Sequence, residues 1–185
     1  RARALSHAPA RTSGLLDELA GRCTFPAAGT AVDCAFSGGA DSTALVALAR
    51  HADLEVVAHH VDHGLRPESV AEAARAAVIA ARLGAEFRLH KVDIPAGPNL
   101  EARAREARLA ALPDEAMTGH TADDQAETFL MRLKRGSGVE GLGAMRALRA
   151  VEGAKGHWWV VRPMLGIQRA ELRHYLKVLN IPYAD

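Results

Sequence analysis

The stretch AVDCAFSGGADSTALVALARH, residues 31–51, decides the fold class of this chain. Residues 31–36 form a short apolar run typical of a buried strand, and residues 42–51 place Leu45 and Leu48 on one helical face. Two adjacent glycines separate the predicted strand from the predicted helix. A strand, a glycine-rich loop and a helix in this order indicate the first unit of an α/β domain.

The rest of the chain continues this alternation of apolar runs and helical patterns. Strands are predicted at residues 54–61, 86–94, 115–119 and 158–161, and helices at residues 68–83, 99–112, 122–135 and 168–179. Such alternation predicts a mainly parallel, twisted sheet with helices on both faces. Because 185 residues suffice for one sizeable core, we expect a single domain over residues 1–185.

Composition and charge describe a globular chain without a strong overall charge. Hydrophobic residues make up 49% and charged residues 24%, and the net charge is +1. No apolar run is long enough to cross a bilayer, and the basic N-terminus lacks the apolar segment of a secretory signal. We therefore expect a cytoplasmic protein that does not contact a membrane.

Two further compositional features bear on function, a local basic stretch and a pair of cysteines. Residues 131–149 carry five basic side chains against one acidic side chain, a local charge of +4. Such a stretch can contact a phosphate backbone or simply be a solvated surface, and the sequence leaves both open. Cys23 and Cys34 form no CxxC pair and cannot complete a metal site, so we expect two inert thiols in a reducing compartment.

The loop SGGADS, residues 37–42, has the features of a phosphate site. Its adjacent glycines allow backbone N–H groups to form a concave nest, and the N-terminus of the following helix favours an anion. Its two serines add hydroxyl donors, while Asp41 suits either a bound Mg²⁺ or a role in shaping the loop. No lysine follows the glycines, so this is not a Walker loop, and the alternative is a tight turn with a helix cap. We predict phosphate contacts from the whole loop: Ser37, Gly38, Gly39, Ala40, Asp41 and Ser42.

A histidine-rich segment, HHVDHGLR at residues 59–66, follows the second predicted strand. Three histidines suggest a metal site, but His59 and His60 are adjacent on a strand and so point to opposite faces. No cysteine lies nearby to complete such a site. We favour a loop at the carboxyl edge of the sheet, beside the nucleotide. Its candidate nucleotide-binding residues are His60, Asp62, His63 and Arg66.

Two helix starts carry further charged patterns. In NLEARAREAR, residues 99–108, Arg105 and Arg108 share a face, which suits a phosphate or a developing oxyanion. The alternative for this segment is an ordinary surface helix, capped by Asn99 and supported by an intrahelical ion pair.

The second helix start, GHTADDQAET at residues 119–128, gathers Asp123, Asp124 and Glu127 near one helix N-terminus. These carboxylates can bind Mg²⁺ or a cationic amine. The alternative is a capping box in which Thr121 pairs with Asp124.

These motifs together resemble a known family. SGGADS is similar to the SGGxDS loop of the ATP pyrophosphatases, whose fold is a Rossmann-like, adenine nucleotide α-hydrolase type. The other segments resemble the tRNA(Ile)-lysidine synthases within that family, and they run in order from residue 37 to residue 165. They are HVDHGLR, NLEARAREAR, GHTADDQAET, RGSGVEGLGAM at 135–145 and RPML at 162–165. The connection between Arg108 and Met117 is shorter than in the family, and we expect the family's C-terminal tRNA-contacting segments to be absent.

The resemblance implies a reaction. ATP would adenylate the wobble cytidine of tRNA(Ile) with a CAU anticodon, and L-lysine would then attack C2 to give lysidine. ATP and Mg²⁺ are the implied cofactors, and a homodimer is compatible with the resemblance. The implied catalytic residues are Asp41, Arg108, Asp124 and Glu127, with Mg²⁺ at Asp41 and Asp124 and the lysine at Asp123, Asp124 and Glu127. His120 is assigned to the nucleotide, and Arg105, Arg132 and Arg135 to the tRNA.

Three alternatives remain open at this point. A tRNA thiolation enzyme of the same fold would need a reactive cysteine, and this chain has no CxxC. An amidotransferase-type enzyme such as GMP synthetase would need a glutaminase cysteine motif, which is not visible. A non-catalytic ATP-binding module would keep the loop without turnover.

Overall fold

The computed structural model describes residues 10–62, 64, 68–94, 98–136, 143, 145–153 and 156–184. The predictions for His63 and Arg66, and most of the RGSGVEGLGAM loop, lie outside these residues. Within the described part, no helix has the length and apolar character needed to span a membrane.

The described chain has six strands and six helices, which alternate except where β6 follows β5 directly. The strands are β1 (Ala31–Ala35), β2 (Glu55–Asp62), β3 (Glu86–Lys91), β4 (Ala116–Met117), β5 (Leu148–Gly153) and β6 (Gly156–Val161). The helices are α1 (Ala10–Gly21), α2 (Ala40–His51), α3 (Ser69–Arg82), α4 (Leu100–Ala111), α5 (Ala122–Lys134) and α6 (Arg169–Val178).

The strands form one sheet in the order β3-β2-β1-β4-β6-β5. All pairs are parallel except β5 with β6, which form an antiparallel ribbon at one edge. The connections from β1 to β3 progress toward one edge, whereas those from β3 to β6 progress toward the other. Helices α2 and α3 pack on β1, β2 and β3 and contact each other, so they share one face of the sheet. The connection from β3 to β4 runs in the opposite direction, and a right-handed crossover then places α4 on the other face. The predicted mainly parallel sheet with helices on both faces is confirmed.

Helix α2 forms the centre of the core. Residues 43–49 are completely buried, and the helix packs on β1, β2, α1 and α6. Burial on all sides explains why this helix is apolar around its whole circumference rather than along one stripe. The position of its first turn is therefore held rigidly at the carboxyl end of β1.

Several predicted boundaries differ from the structure. Helix α2 begins at Ala40 rather than at residue 42, so that Asp41 lies in its first turn. Asn99 occupies the N-cap position of α4 but is left-handed, with φ 56°, and its side chain makes no capping hydrogen bond. The predicted strand at 115–119 shortens to two residues because Glu115 has φ 59°, outside the extended region. Helix α1 and strand β5 were not predicted, since neither segment shows a clear apolar period.

Candidate functional site

A cleft of about 620 Å³ lies at the carboxyl ends of β1, β2 and β4. This volume is within the range of small-molecule sites. Successive connections leave the sheet in opposite directions on either side of the β1–β4 boundary, which makes this the topological switch point where α/β folds bind ligands. The predicted residues that line it are Ser37, Asp41, Ser42, His60, Asp62, Arg105, Arg108, His120 and Asp124.

The phosphate loop is held in shape by its own hydroxyls. Gly38 has φ 84°, a conformation that favours glycine, and Gly39 lies at the N-cap position of α2. The Gly39 N–H donates to Ser37 Oγ at 3.3 Å, and Ser42 Oγ donates to the Gly39 carbonyl at 3.0 Å. These bonds fix the backbone while the first-turn N–H groups of α2 point along the helix dipole toward the cleft.

Gly119 brings the loop after β4 against the start of α2. A Cβ atom at this glycine would lie 3.0 Å from the Asp41 carbonyl carbon and oxygen, and 3.1 Å from Ser42 N. Any side chain here would have to push backbone atoms apart. The glycine of the GHTADDQAET motif therefore allows the phosphate loop and the acidic helix to lie close together.

Arg169, the first residue of α6, joins the predicted acidic residues into one cluster. Its Nη2 lies 3.0 Å from Asp124 Oδ1, its Nε 3.2 Å from Asp41 Oδ2, and its Nη1 3.4 Å from Glu127 Oε1. Its backbone N–H donates to Asp123 Oδ2 at 2.7 Å. The structure thus brings together around Arg169 the four carboxylates proposed for Mg²⁺ and lysine, three of them on its guanidinium and Asp123 on its backbone N–H. The sequence interpretation did not single out this arginine.

Asp124 serves as a helix cap and as a member of this cluster. Its Oδ2 accepts hydrogen bonds from Thr121 N at 2.7 Å and Thr121 Oγ1 at 2.9 Å, as a capping interpretation predicts. Its Oδ1 bonds Arg169. The two interpretations of the acidic motif are therefore compatible, because each uses a different oxygen of the same carboxylate.

The sequence of this chain matches a protein-family model. A model described as a PP-loop domain matches residues 16–185. This chain belongs to the PP-loop domain family.

Relatives of this PP-loop domain are named tRNA(Ile)-lysidine synthases. The one from Novosphingobium aromaticivorans is 46% identical, and the match covers 75% of this chain and 45% of that protein. The one from Nocardia farcinica is 43% identical, covering 86% of this chain and 50% of that protein. The chain spans about half the length, or less, of the curated relatives it matches. The resemblance stated from the motifs is confirmed.

Solved structures share the fold of this PP-loop domain. The U34-tRNA thiolase NcsA from Methanococcus maripaludis has a TM-score of 0.63 and 18% identity, and covers 95% of this chain and 65% of that chain. The NH3-dependent NAD synthetase from Campylobacter jejuni has a TM-score of 0.51 and 16% identity, covering 92% and 72%. At such identities these structures support the architecture alone.

In this PP-loop domain, Asp41 is the carboxylate best placed for Mg²⁺. Its Oδ1 is buried and has no hydrogen-bond partner, and burial raises the pKa of its carboxyl although Arg169 opposes the shift. Among the described residues, no three His, Cys, Asp or Glu side chains form a ready-made metal site. Mg²⁺ commonly takes one or two carboxylates and fills its shell with phosphate oxygens and water, so the residues present fit that ion. Both oxygens of Asp124 are already engaged, which leaves Asp41 as the stronger candidate ligand.

His120 is a neutral group in the lining of the cleft. Burial, and next the charge of Arg162, lower the pKa of its imidazole to about 4. Its Nδ1 lies 2.7 Å from Thr118 Oγ1. An uncharged imidazole at neutral pH can hydrogen-bond a nucleotide but cannot neutralise a phosphate.

The histidine-rich segment divides between the two faces of the sheet, as predicted. His60 Nδ1 bonds the Phe36 carbonyl at 2.9 Å and lines the cleft. His59, which also contributes to the cleft lining, bonds Asp33 at 2.6 Å and His90 at 2.7 Å. Asp62 accepts the Gly64 N–H at 2.8 Å, a bond that lowers the pKa of its carboxyl and shapes the following turn.

Two predicted tRNA contacts lie away from the cleft. Arg132 and Arg135 follow Asp124 along α5 by 8 and 11 positions, about 12 and 16 Å along the helix axis. Neither lines the cleft, and Arg132 donates to the Gly143 carbonyl. Any role in binding tRNA would be at the rim of the domain, whereas Arg105 and Arg108 lie within the cleft.

Both cysteines are poor nucleophiles. Burial raises the pKa of Cys23 and of Cys34 to about 12 each, and both are free thiols. Since the thiolate is the reactive form, neither side chain has the properties that thiol-based sulfur transfer requires.

Proposed function

We propose that this chain is the ATP-binding catalytic domain of an enzyme that forms lysidine in tRNA(Ile) with a CAU anticodon. The supporting observation is that the phosphate loop and the acidic helix share one cleft, with Arg169 bonded to Asp41 and Asp124 at once. The relatives named tRNA(Ile)-lysidine synthases support the choice of substrate. One hydrophobic core runs through the described residues, which supports a single domain over 1–185.

The nucleotide half of the site accounts for the first step. ATP lies with its terminal phosphates in the loop at 37–42, where backbone N–H groups and the α2 N-terminus stabilise negative charge. The C2 carbonyl oxygen of cytidine attacks the α-phosphorus, a P–O bond forms, and pyrophosphate leaves. Asp41 would hold Mg²⁺, which when bound would neutralise charge on the departing phosphates. Arg108, which lines the cleft, would hold the adenylate phosphate, and Arg105 beside it would contact the tRNA.

The acidic half accounts for the second step. The ammonium of lysine binds among Asp123, Asp124 and Glu127, where three carboxylates exceed the single charge of Arg169. The amine must lose a proton before it attacks C2, and a carboxylate of this cluster accepts or relays it. The new C–N bond forms as the C2–O bond to the adenylate breaks and AMP leaves. The target base has to leave its stack to reach this position.

The proposed substrate also bears on the location of the protein and on its basic surface. A tRNA substrate implies a cytoplasmic location. Arg132 and Arg135 extend the basic surface along α5 beyond the cleft, where a large substrate would rest.

A three-component assay tests the proposed reaction. Pyrophosphate release is measured in the full-length protein with ATP, Mg²⁺, tRNA(Ile) and lysine, and then with tRNA or lysine omitted, while mass spectrometry identifies the product nucleoside. We expect release to require tRNA, and a modified cytidine carrying the lysine mass to require all components. A thiolated nucleoside with a sulfur donor, or ATP binding without turnover under every condition, would contradict the proposal.

A further inference from the structure

Among the residues that the structure describes, Arg162 is a buried cation without an anionic partner. It follows β6 directly and is 4% exposed. Its Nη1 donates to the Arg146 carbonyl at 3.0 Å, but its Nε is buried and makes no hydrogen bond. Arginine keeps its charge at any physiological pH, and a buried charge is costly unless an anion accompanies it. The fold therefore maintains an unbalanced positive charge at this point.

Further arginines converge on the same place. Burial, followed by the charges of Arg149 and Arg105, lowers the pKa of Arg162. The same three arginines also lower the pKa of His120, with Asp124 as the opposing acidic group. In the part of the chain that the structure describes, none of the three arginines forms a salt bridge. Self-repelling guanidinium groups gathered around a neutral imidazole indicate a site prepared for an anion.

The position of this group distinguishes it from the ATP phosphate site. The phosphate loop follows β1, whereas Arg162 follows β6, and β4 lies between them in the sheet. Two strand spacings amount to about 10 Å. Arg149 lies on β5, the edge strand, and both it and Arg146 are exposed. Of the three arginines, Arg105 lines the cleft and Arg149 is exposed on the edge strand, so positive charge is present both at the cleft and at the sheet edge beside it.

We propose that Arg162, Arg149 and Arg105 form a subsite for a backbone phosphodiester of the tRNA, next to the nucleotide whose base enters the cleft. This inference rests on the proposed function, because it takes tRNA as the substrate. The guanidinium fork of Arg162 matches two phosphate oxygens, and its burial makes that contact strong and directional. Arg149 and Arg105 approach the same phosphate from the rim and from the facing helix. A phosphate held here would position the base between ATP and the amine.

The test compares Arg162→Met and Arg149→Ala with Lys177→Met, an exposed cation on α6 outside the cleft. Dissociation constants for tRNA(Ile) are measured at several salt concentrations in the full-length protein, together with those for ATP. For Arg162→Met we expect about a tenfold weaker tRNA complex and a salt slope smaller by about one counterion. Arg149→Ala should weaken the complex about threefold, because its charge is exposed. ATP binding should stay within about twofold for both variants, and Lys177→Met should change neither affinity.

A stability measurement separates this role from a structural one. Replacing a buried, unpaired charge with an apolar side chain of similar volume should leave Tm unchanged or raise it. A lower Tm for Arg162→Met with unchanged tRNA affinity would overturn the subsite and make the arginine structural. An equal loss of ATP affinity would overturn it as well, by assigning the cation to ATP. If Arg162→Met does not fold, unchanged tRNA affinity and salt slope in Arg149→Ala would overturn it.

The wild-type protein distinguishes the two proposals. If it binds no tRNA(Ile), both the subsite and the proposed function fail. If it binds tRNA(Ile) and forms lysidine, but the arginine variants bind tRNA like wild type, only the subsite fails.

Discussion

Replacing Arg169 by methionine should destabilise the fold by removing the cation that three carboxylates contact. Its ion pairs with Asp124, Asp41 and Glu127 measure 3.0, 3.2 and 3.4 Å. Partly exposed pairs contribute about 0.2–1 kcal/mol each, and the Glu127 pair is discounted because that side chain is 57% exposed. The two remaining pairs together give an expected fall in the free energy of unfolding of about 0.4–2 kcal/mol. In a chain of this size, Tm falls by about 2–4 °C per kcal/mol.

The pH dependence of this loss has a definite sign. Burial raises the pKa of Asp41 in the folded protein, and Arg169 opposes that shift, so the variant should raise the pKa of Asp41 further. A carboxyl whose pKa is higher in the folded than in the unfolded state binds more protons when folded. The free energy of unfolding therefore falls as pH rises from the unfolded pKa to the folded pKa. The stability deficit of the variant should be full at neutral pH and should shrink as pH falls toward the unfolded value of about 4.

Urea unfolding without Mg²⁺, at low and high salt and between pH 4 and pH 8, measures this deficit. Lys177→Met serves as the control for the loss of one exposed cation on the same helix. Salt should reduce the stability deficit because it screens the uncompensated carboxylates, and Mg²⁺ should reduce it because it binds them. A deficit that does not change with pH, or stability equal to that of the control, would refute the electrostatic account of Arg169.

Three further predictions concern a glycine, two carboxylates and the cysteines. Gly119→Ala should weaken ATP binding, measured by isothermal titration, by about tenfold or more, because its Cβ would lie 3.0 Å from backbone atoms of Asp41. Gly14→Ala is the control and should leave ATP binding unchanged, since a Cβ there meets no atom within 4 Å. Asp41→Asn and Glu127→Ala should each lower lysidine formation by about a hundredfold or more, and near-normal turnover in either variant would remove that residue from the site. Replacing both cysteines by alanine should leave lysidine formation within about twofold of wild type, since neither thiol is reactive; loss of activity with an unchanged Tm would restore sulfur chemistry as an alternative.

Local patterns were sufficient for the fold class and for the phosphate loop. The alternation of apolar runs and helical patterns depends on residues close together in sequence, and it was enough to predict the parallel sheet. The adjacent glycines after β1 predicted a nest, and Gly38 has the positive φ that a nest requires. The capping box of Thr121 with Asp124 is equally local. The edge strand β5 escaped prediction because an exposed strand has no apolar face to mark it.

The sequence by itself determined the parallel α/β architecture, the glycine nest and the presence of an acidic helix start, because each depends on residues within one or two turns of one another. Only the tertiary structure decided that Arg169, 45 positions beyond Asp124, lies at the centre of the acidic cluster. It also decided that Arg162 is buried with no acidic partner in the described part of the chain. Both follow from the side-by-side arrangement of β1, β4 and β6, since strand order in a sheet is set by long-range packing that no local pattern records.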